Sequence, residues 1–171
     1  AGTVVFIGEQ EGFVDGVYAA AGTGPLEVIA DENSPVPGSE LTFTGFEDIA
    51  IGRDGSLVIN AQAGSRRGIY RWRDGSLARI VNDSDPAPGA TGTFSNFYDI
   101  AYDGDAVVFT ALARNGDDAF WEGIYVSDGR EVRLLADENT AIPEGQGVFD
   151  DFGFNSSSGG QPAISEGRVV F

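Results

Sequence analysis

The sequence predicts an all-β fold of repeated four-stranded antiparallel meanders, and three observations carry that prediction. Glycine takes 25 and proline 7 of the 171 positions, and neither sits well inside a helix: glycine loses the most backbone freedom, and proline removes a donor. The longest stretch free of both is 13 residues, 130–142, so a helical bundle or coiled coil is excluded. Between these breakers lie short runs of β-branched and aromatic residues, the composition of strands. Lastly, Asp-Gly dipeptides separate the runs, at Asp54-Gly55, Asp74-Gly75, Asp103-Gly104 and Asp128-Gly129. They tolerate the positive φ angles of tight hairpin turns.

The strand pattern recurs. Gly16-Val17-Tyr18 returns as Gly68-Ile69-Tyr70 and Gly123-Ile124-Tyr125, at spacings of 52 and 55 residues. Pro35-Val36-Pro37-Gly38 returns as Pro86-Ala87-Pro88-Gly89 and, loosened, as Ile142-Pro143-Glu144-Gly145. An F-x-x-F pair follows each time: Phe43 and Phe46, Phe94 and Phe97, Phe149 and Phe152. The opening Val4-Val5-Phe6 matches Val107-Val108-Phe109 and the final Val169-Val170-Phe171. The chain thus reads as a single repeat domain with units at about 1–54, 55–104 and 105–167, and residues 168–171 as the first strand of a further unit. In the second unit the predicted strands are 56–61, 68–73, 77–81 and 96–102. One such meander leaves apolar faces exposed, so the units are expected to pack face to face like propeller blades, with the F-x-x-F pairs as core between them.

Composition narrows the chemistry. There is no Cys and no His, so thiolate nucleophiles, zinc–cysteine sites and imidazole bases are absent. All ten basic residues are Arg, so a Schiff-base lysine is absent too. With 27 acidic residues the net charge is −17, a field that disfavours nucleic acid and anionic lipid surfaces and favours cations or basic surfaces. No run approaches the roughly 18 apolar residues of a membrane helix, so direct membrane insertion is not expected. Carboxylate-pair glycoside hydrolysis is the catalytic class that survives, but no acid, base and orienting group stand out from the repeat, and the expectation is a non-enzyme.

The third and fourth strands of every unit are joined by 12-residue loops, 31–42, 82–93 and 137–148. Constant loop length implies a defined conformation. Two explanations fit. Asp and Asn side chains hydrogen-bond their own backbone in Asx turns, or the acidic and amide oxygens converge on Ca²⁺, a hard cation taking six to eight oxygen ligands. The candidate ligands are Asp31, Glu32 and Asn33; Asn82, Asp83 and Asp85; and Asp137, Glu138 and Asn139. The loops are not EF-hands, for position twelve is Thr42, Thr93 or Val148 rather than a bidentate Glu.

Trp72 and Trp121 are not repeated at equivalent places. Trp72 lies among Arg66, Arg67, Arg71 and Arg73, the one basic cluster, and Trp121 in a longer connection, 113–122. Each Trp is read as packing over a hairpin, or as a sugar platform or partner anchor. The Arg cluster is read as balancing acidic neighbours, or as docking an acidic surface of another copy.

The pattern of a VVF strand, GIY, a hairpin, I-A-D-x-x-x-P-x-P-G and F-x-x-F resembles tandem-repeat, β-propeller-like surface or exported proteins of Gram-negative bacteria, some with C-terminal sorting anchors. The resemblance covers nearly the whole chain. It implies an extracellular or cell-surface protein and brings no catalytic residues. The third unit departs from the pattern at residues 155–160, Asn-Ser-Ser-Ser-Gly-Gly.

The expected function is a non-catalytic structural or binding module, calcium-stabilised and self-associating. Its partners are further copies of itself or additional propeller sequence, or a surface glycan or protein. Arg66, Arg67, Trp72, Trp121, Val169, Val170 and Phe171 are the expected contact residues, the last three as a strand donated to another copy. The alternative is a carbohydrate-binding or carboxylate-dependent carbohydrate-cleaving propeller, which requires a pocket where aromatics and carboxylates converge.

Overall fold

The computed structural model describes residues 2–11, 14–114, 119–149, 152 and 161–171; the 155–160 interruption lies outside them. Among the described residues every regular element is a strand. The strands are β1 (Thr3–Gln10), β2 (Val14–Ala21), β3 (Glu27–Asp31), β4 (Gly45–Ile51), β5 (Leu57–Ala63), β6 (Arg66–Arg73), β7 (Ser76–Asn82), β8 (Phe94–Tyr102), β9 (Val107–Arg114), β10 (Phe120–Ser127), β11 (Val132–Asp137), β12 (Ala163–Ser165) and β13 (Arg168–Val170). They form four antiparallel sheets, ordered β1-β2-β3, β4-β5-β6-β7, β8-β9-β10-β11 and β12-β13.

Sheets and sequence repeats are out of phase by one strand, which corrects the expectation that each unit is one meander. The strand after each 12-residue loop does not pair with the strand before it. β8 pairs with β9, not with β7. The reason is loop closure: β8 and β9 are separated by residues 103–106, and β4 and β5 by 52–56, so these hairpins form locally, whereas a 12-residue loop closes at greater entropic cost. The loops therefore carry the chain from one sheet to the next. Of the four Asp-Gly pairs only Asp74-Gly75 has both residues at positive φ; at Asp54-Gly55, Asp103-Gly104 and Asp128-Gly129 the glycine alone does, at 82°, 104° and 86°. Asp74 and Gly75 have φ of 51° and 78°, and Glu166 and Gly167 of 50° and 73°, the two consecutive positive values of a type I′ turn.

The sheets stack face to face. Val17, Ala19, Ile29 and Ala30 of the first sheet meet Leu57, Ile59, Ala61 and Tyr70 of the second, with Phe43 and Phe46 between. On its other face the second sheet offers Val58, Ile69 and Val81 to Phe94, Phe97, Val107, Phe109 and Tyr125 of the third. Val108, Ile124 and Val126 then face Phe152, Ile164 and Val169. A strand buried on both sides needs apolar residues at both parities, which is why Leu57-Val58-Ile59 and Val107-Val108-Phe109 are continuous apolar runs. The first two F-x-x-F pairs pack as expected, Phe94 and Phe97 lying 5.3 Å apart in the second core, whereas Phe149 and Phe152 are only half-buried. A close backbone approach joins the second and third sheets, where a Cβ on Gly52 would stand 2.6 Å from the Cα of Gly104.

Candidate functional site

Each 12-residue loop is closed by its own opening residues. Asp31 Oδ1 accepts from the Asn33 N–H (2.9 Å) and the Ser34 hydroxyl (2.8 Å), while Ser34 Oγ accepts from the Asp31 N–H. Asp137 and Thr140 repeat this arrangement, with Asn139 N–H on Asp137 Oδ1. In the second loop Asn82 Oδ1 accepts from Ser84 N–H, and Asp85 Oδ2 from Asn82 N–H. Val36 and Ala87 then bury in the first and second cores and pin the first two loops. This is the Asx-turn geometry, and it turns the oxygens of Asp31, Asn82, Asp85 and Asp137 toward their own backbone. Asp83 is engaged differently, 3.5 Å from Arg66. No contact gathers Glu32, Asn33, Glu138 or Asn139 into a coordination shell, and among the described residues no three of His, Cys, Asp and Glu stand close enough to hold a metal ion.

The Arg cluster is shared out over acidic neighbours. Arg66 reaches Ser84 Oγ at 2.9 Å as well as Asp83, Arg67 lies 4.0 Å from Glu47, and Arg73 donates to Asp54 and to the Gly104 carbonyl. Burial opposes ionisation of Asp54, but donation by Ser56 and the charge of Arg73 hold its carboxyl below the usual range. Alternation along β6 sends Arg71 toward Gly129 in the third sheet.

Trp72 is half-buried opposite Leu57 and Leu77. It forms one wall of an apolar cleft of about 580 Å³ with Val5, Ala19, Pro25 and Leu26. Trp121 corrects the sequence reading: it lies inside β10, paired with Ala113, rather than in a connection. The last strand is also already engaged. β13 pairs with β12, Val169 packs on the third sheet and Phe171 lies 6.3 Å from Phe149, although Val170 stays 68% exposed.

One site was missed by sequence reasoning. Between the second and third sheets, where β4 lies beside β8, a polar pocket of about 490 Å³ is lined by Glu47, Asp48, Asn60, Tyr98, Asp99 and Gln161, with Phe97 at its wall. The first strands of the two sheets supply equivalent segments, Phe46-Glu47-Asp48-Ile49-Ala50 and Phe97-Tyr98-Asp99-Ile100-Ala101. The recurring D-I-A tripeptide after the second Phe was the available signal. Asp48 ties the sheets together: its Oδ2 accepts from Ile100 N–H at 3.1 Å and its Oδ1 from Ile49 N–H at 2.8 Å. Asp99 Oδ1 accepts from Gln161 at 3.0 Å, and Glu47 from the amides of Asn60 and Gln62. Burial pushes the Tyr98 phenol up, partly offset by the Asn96 amide that donates to it at 2.6 Å.

Asn60 is the buried member, 2% exposed. On β5 its side chain shares the third-sheet face with Val58, and its Nδ2 donates to the Phe97 carbonyl at 3.0 Å. Its Oδ1 accepts no hydrogen bond from the protein. A polar side chain in the middle of a buried strand is costly unless satisfied, so its presence among Val58, Ile59 and Ala61 marks the pocket as more than packing.

No curated protein and no solved structure matches the chain. Over residues 1–171 it matches a family described as a family of unknown function, DUF7453, and it belongs to that family.

Proposed function

We propose that the chain is a non-catalytic, extracellular binding module built of propeller-like blades, with its ligand held between the second and third sheets. The blade reading is supported by four-stranded antiparallel meanders stacked face to face, each entered by a 12-residue loop from the sheet before. The extracellular placement rests on the resemblance of the repeat. The observation that carries the binding role is the pocket itself, where carboxylates, a buried amide and a tyrosine converge.

Catalysis is disfavoured by how those carboxylates are used. Both oxygens of Asp48 already accept backbone N–H groups, one of them from the neighbouring sheet, which commits this carboxylate to holding the structure together. Glu47 is likewise held by two amide side chains. A glycan array combined with a sugar-release assay tests both points. No release from any arrayed glycan is the expected result, and released sugar that disappears with Asp99→Asn would make the protein an enzyme instead.

Self-association is favoured by one further observation. Val4 and Phe6, 61% and 39% exposed, occupy positions equivalent to Val107 and Phe109, which the preceding sheet buries to 1% and 0% exposure. An open apolar face of this kind is suited to a blade of the same type from another copy. Light scattering on the 171-residue chain before and after Val4→Lys tests it, and an unchanged monomer removes this reading.

A further inference from the structure

We infer that the pocket between the second and third sheets takes an organic cation, an alkylammonium or guanidinium group, rather than a neutral sugar or a bare metal ion. This rests on the binding-module reading above and names its ligand class.

The argument begins with hydrogen-bond supply. The amide donors near the pocket are largely spent: both of Asn60, on the Phe97 carbonyl and Glu47, and one of the two on each of Gln62 and Gln161, on Glu47 and Asp99. Acceptors remain in excess. An ionised carboxylate has about four acceptor sites, yet Asp99 receives only the single bond from Gln161. Asn60 Oδ1, buried, receives none from the protein. A sugar hydroxyl needs donors as well as acceptors, whereas an ammonium or guanidinium group only donates.

Charge points the same way. Arg67, 4.0 Å from Glu47, is the guanidinium at the margin. Among the described residues neither Asp48 nor Asp99 has an ion-pair partner, so two carboxylates face the pocket uncompensated on a chain of net charge −17. The carboxylates are nevertheless too dispersed to form a metal-holding group. Acceptors spread around a space of about 490 Å³ suit a cation that carries its donors on a carbon skeleton.

The experiment is a titration of the intact 171-residue chain with the linear diamine putrescine at fixed ionic strength. It is followed by NMR at the side-chain amides of Asn60 and Gln161 and the backbone amide of Ile100. Maltose and CaCl₂ serve as parallel probes. Saturable shifts confined to these groups are expected with putrescine alone. Asp99→Asn, which keeps the shape and removes one charge, should weaken binding about ten- to hundredfold, the loss of one charge-assisted hydrogen bond. Glu40→Gln, an exposed loop substitution of equal charge change, should leave it within about twofold.

Shifts spread over the acidic surface, reduced equally by both variants, would mean general electrostatic attraction and would overturn the inference. Maltose moving the pocket amides while putrescine does not would overturn the cation but leave the binding module standing. If neither probe nor any member of a glycan array moves those amides, the binding-module reading falls with it.

Discussion

Replacing Phe97 with alanine tests the stacking of the sheets most directly. Phe97 is 0% exposed, and its ring lies 5.3 Å from Phe94 and 5.8 Å from Phe109 in the core between the second and third sheets. Removing a buried phenyl ring costs about 3–5 kcal/mol in lost transfer and residual cavity. Two aromatic contacts of about 0.5–1.5 kcal/mol each are lost with it, which favours the middle to upper part of that range, about 4 kcal/mol. The backbone of Phe97 is unaffected, so its carbonyl still accepts from Asn60. For a chain of this size 4 kcal/mol lowers Tm by about 8–16 °C. Urea unfolding followed by tryptophan emission suits the assay, because Trp72 and Trp121 lie in the two sheets that Phe97 separates. Glu40→Ala, at an exposed position in the 31–42 loop, should stay within about 0.5 kcal/mol. Comparable small effects from both substitutions would show that the ring does not sit between sheets, and the stacking argument would fail.

Further expectations concern the tyrosines, the loops and calcium. Burial, reinforced by Asp137, pushes the Tyr125 phenol up to about 12. An absorbance titration should show this group ionising last, and because the unfolded chain releases the proton first, near pH 10, stability should fall by about 2–3 kcal/mol between pH 10 and 12; a fully reversible titration of all tyrosines near pH 10 would contradict its burial. The Ser34 hydroxyl is the main cause holding the Asp31 carboxyl below its usual range, against the effect of burial. Ser34→Ala should raise that value in an NMR titration and cost about 1 kcal/mol at neutral pH. A depressed carboxyl contributes stability above its unfolded value, so this difference should shrink as pH falls below 3.8. Since the loops close through their own hydrogen bonds, melting curves in Ca²⁺ and Mg²⁺ at equal ionic strength should coincide, and a rise specific to Ca²⁺ would restore the loops as a metal site.

The sequence by itself determined the local structure. Glycine and proline spacing excluded helices, Asp74-Gly75 fixed a hairpin turn, and the repeat of Gly-x-Tyr and F-x-x-F marked equivalent strands and core rings. These features act over a few residues, so a one-dimensional reading captures them. Which strands share a sheet was not legible, because pairing across the four or five residues at 103–106 and 52–56 competes with pairing across the 12-residue loops, and only closure cost decides between them. Burial was decided by the stack alone. Val4-Val5-Phe6 and Val107-Val108-Phe109 read identically, yet Phe6 is 39% exposed and Phe109 is 0%, since among the described residues one sheet has a neighbour on that face and the other does not. The pocket follows the same logic: Asp48 and Asp99 lie 51 residues apart in the chain and share a site only because two sheets meet along β4 and β8.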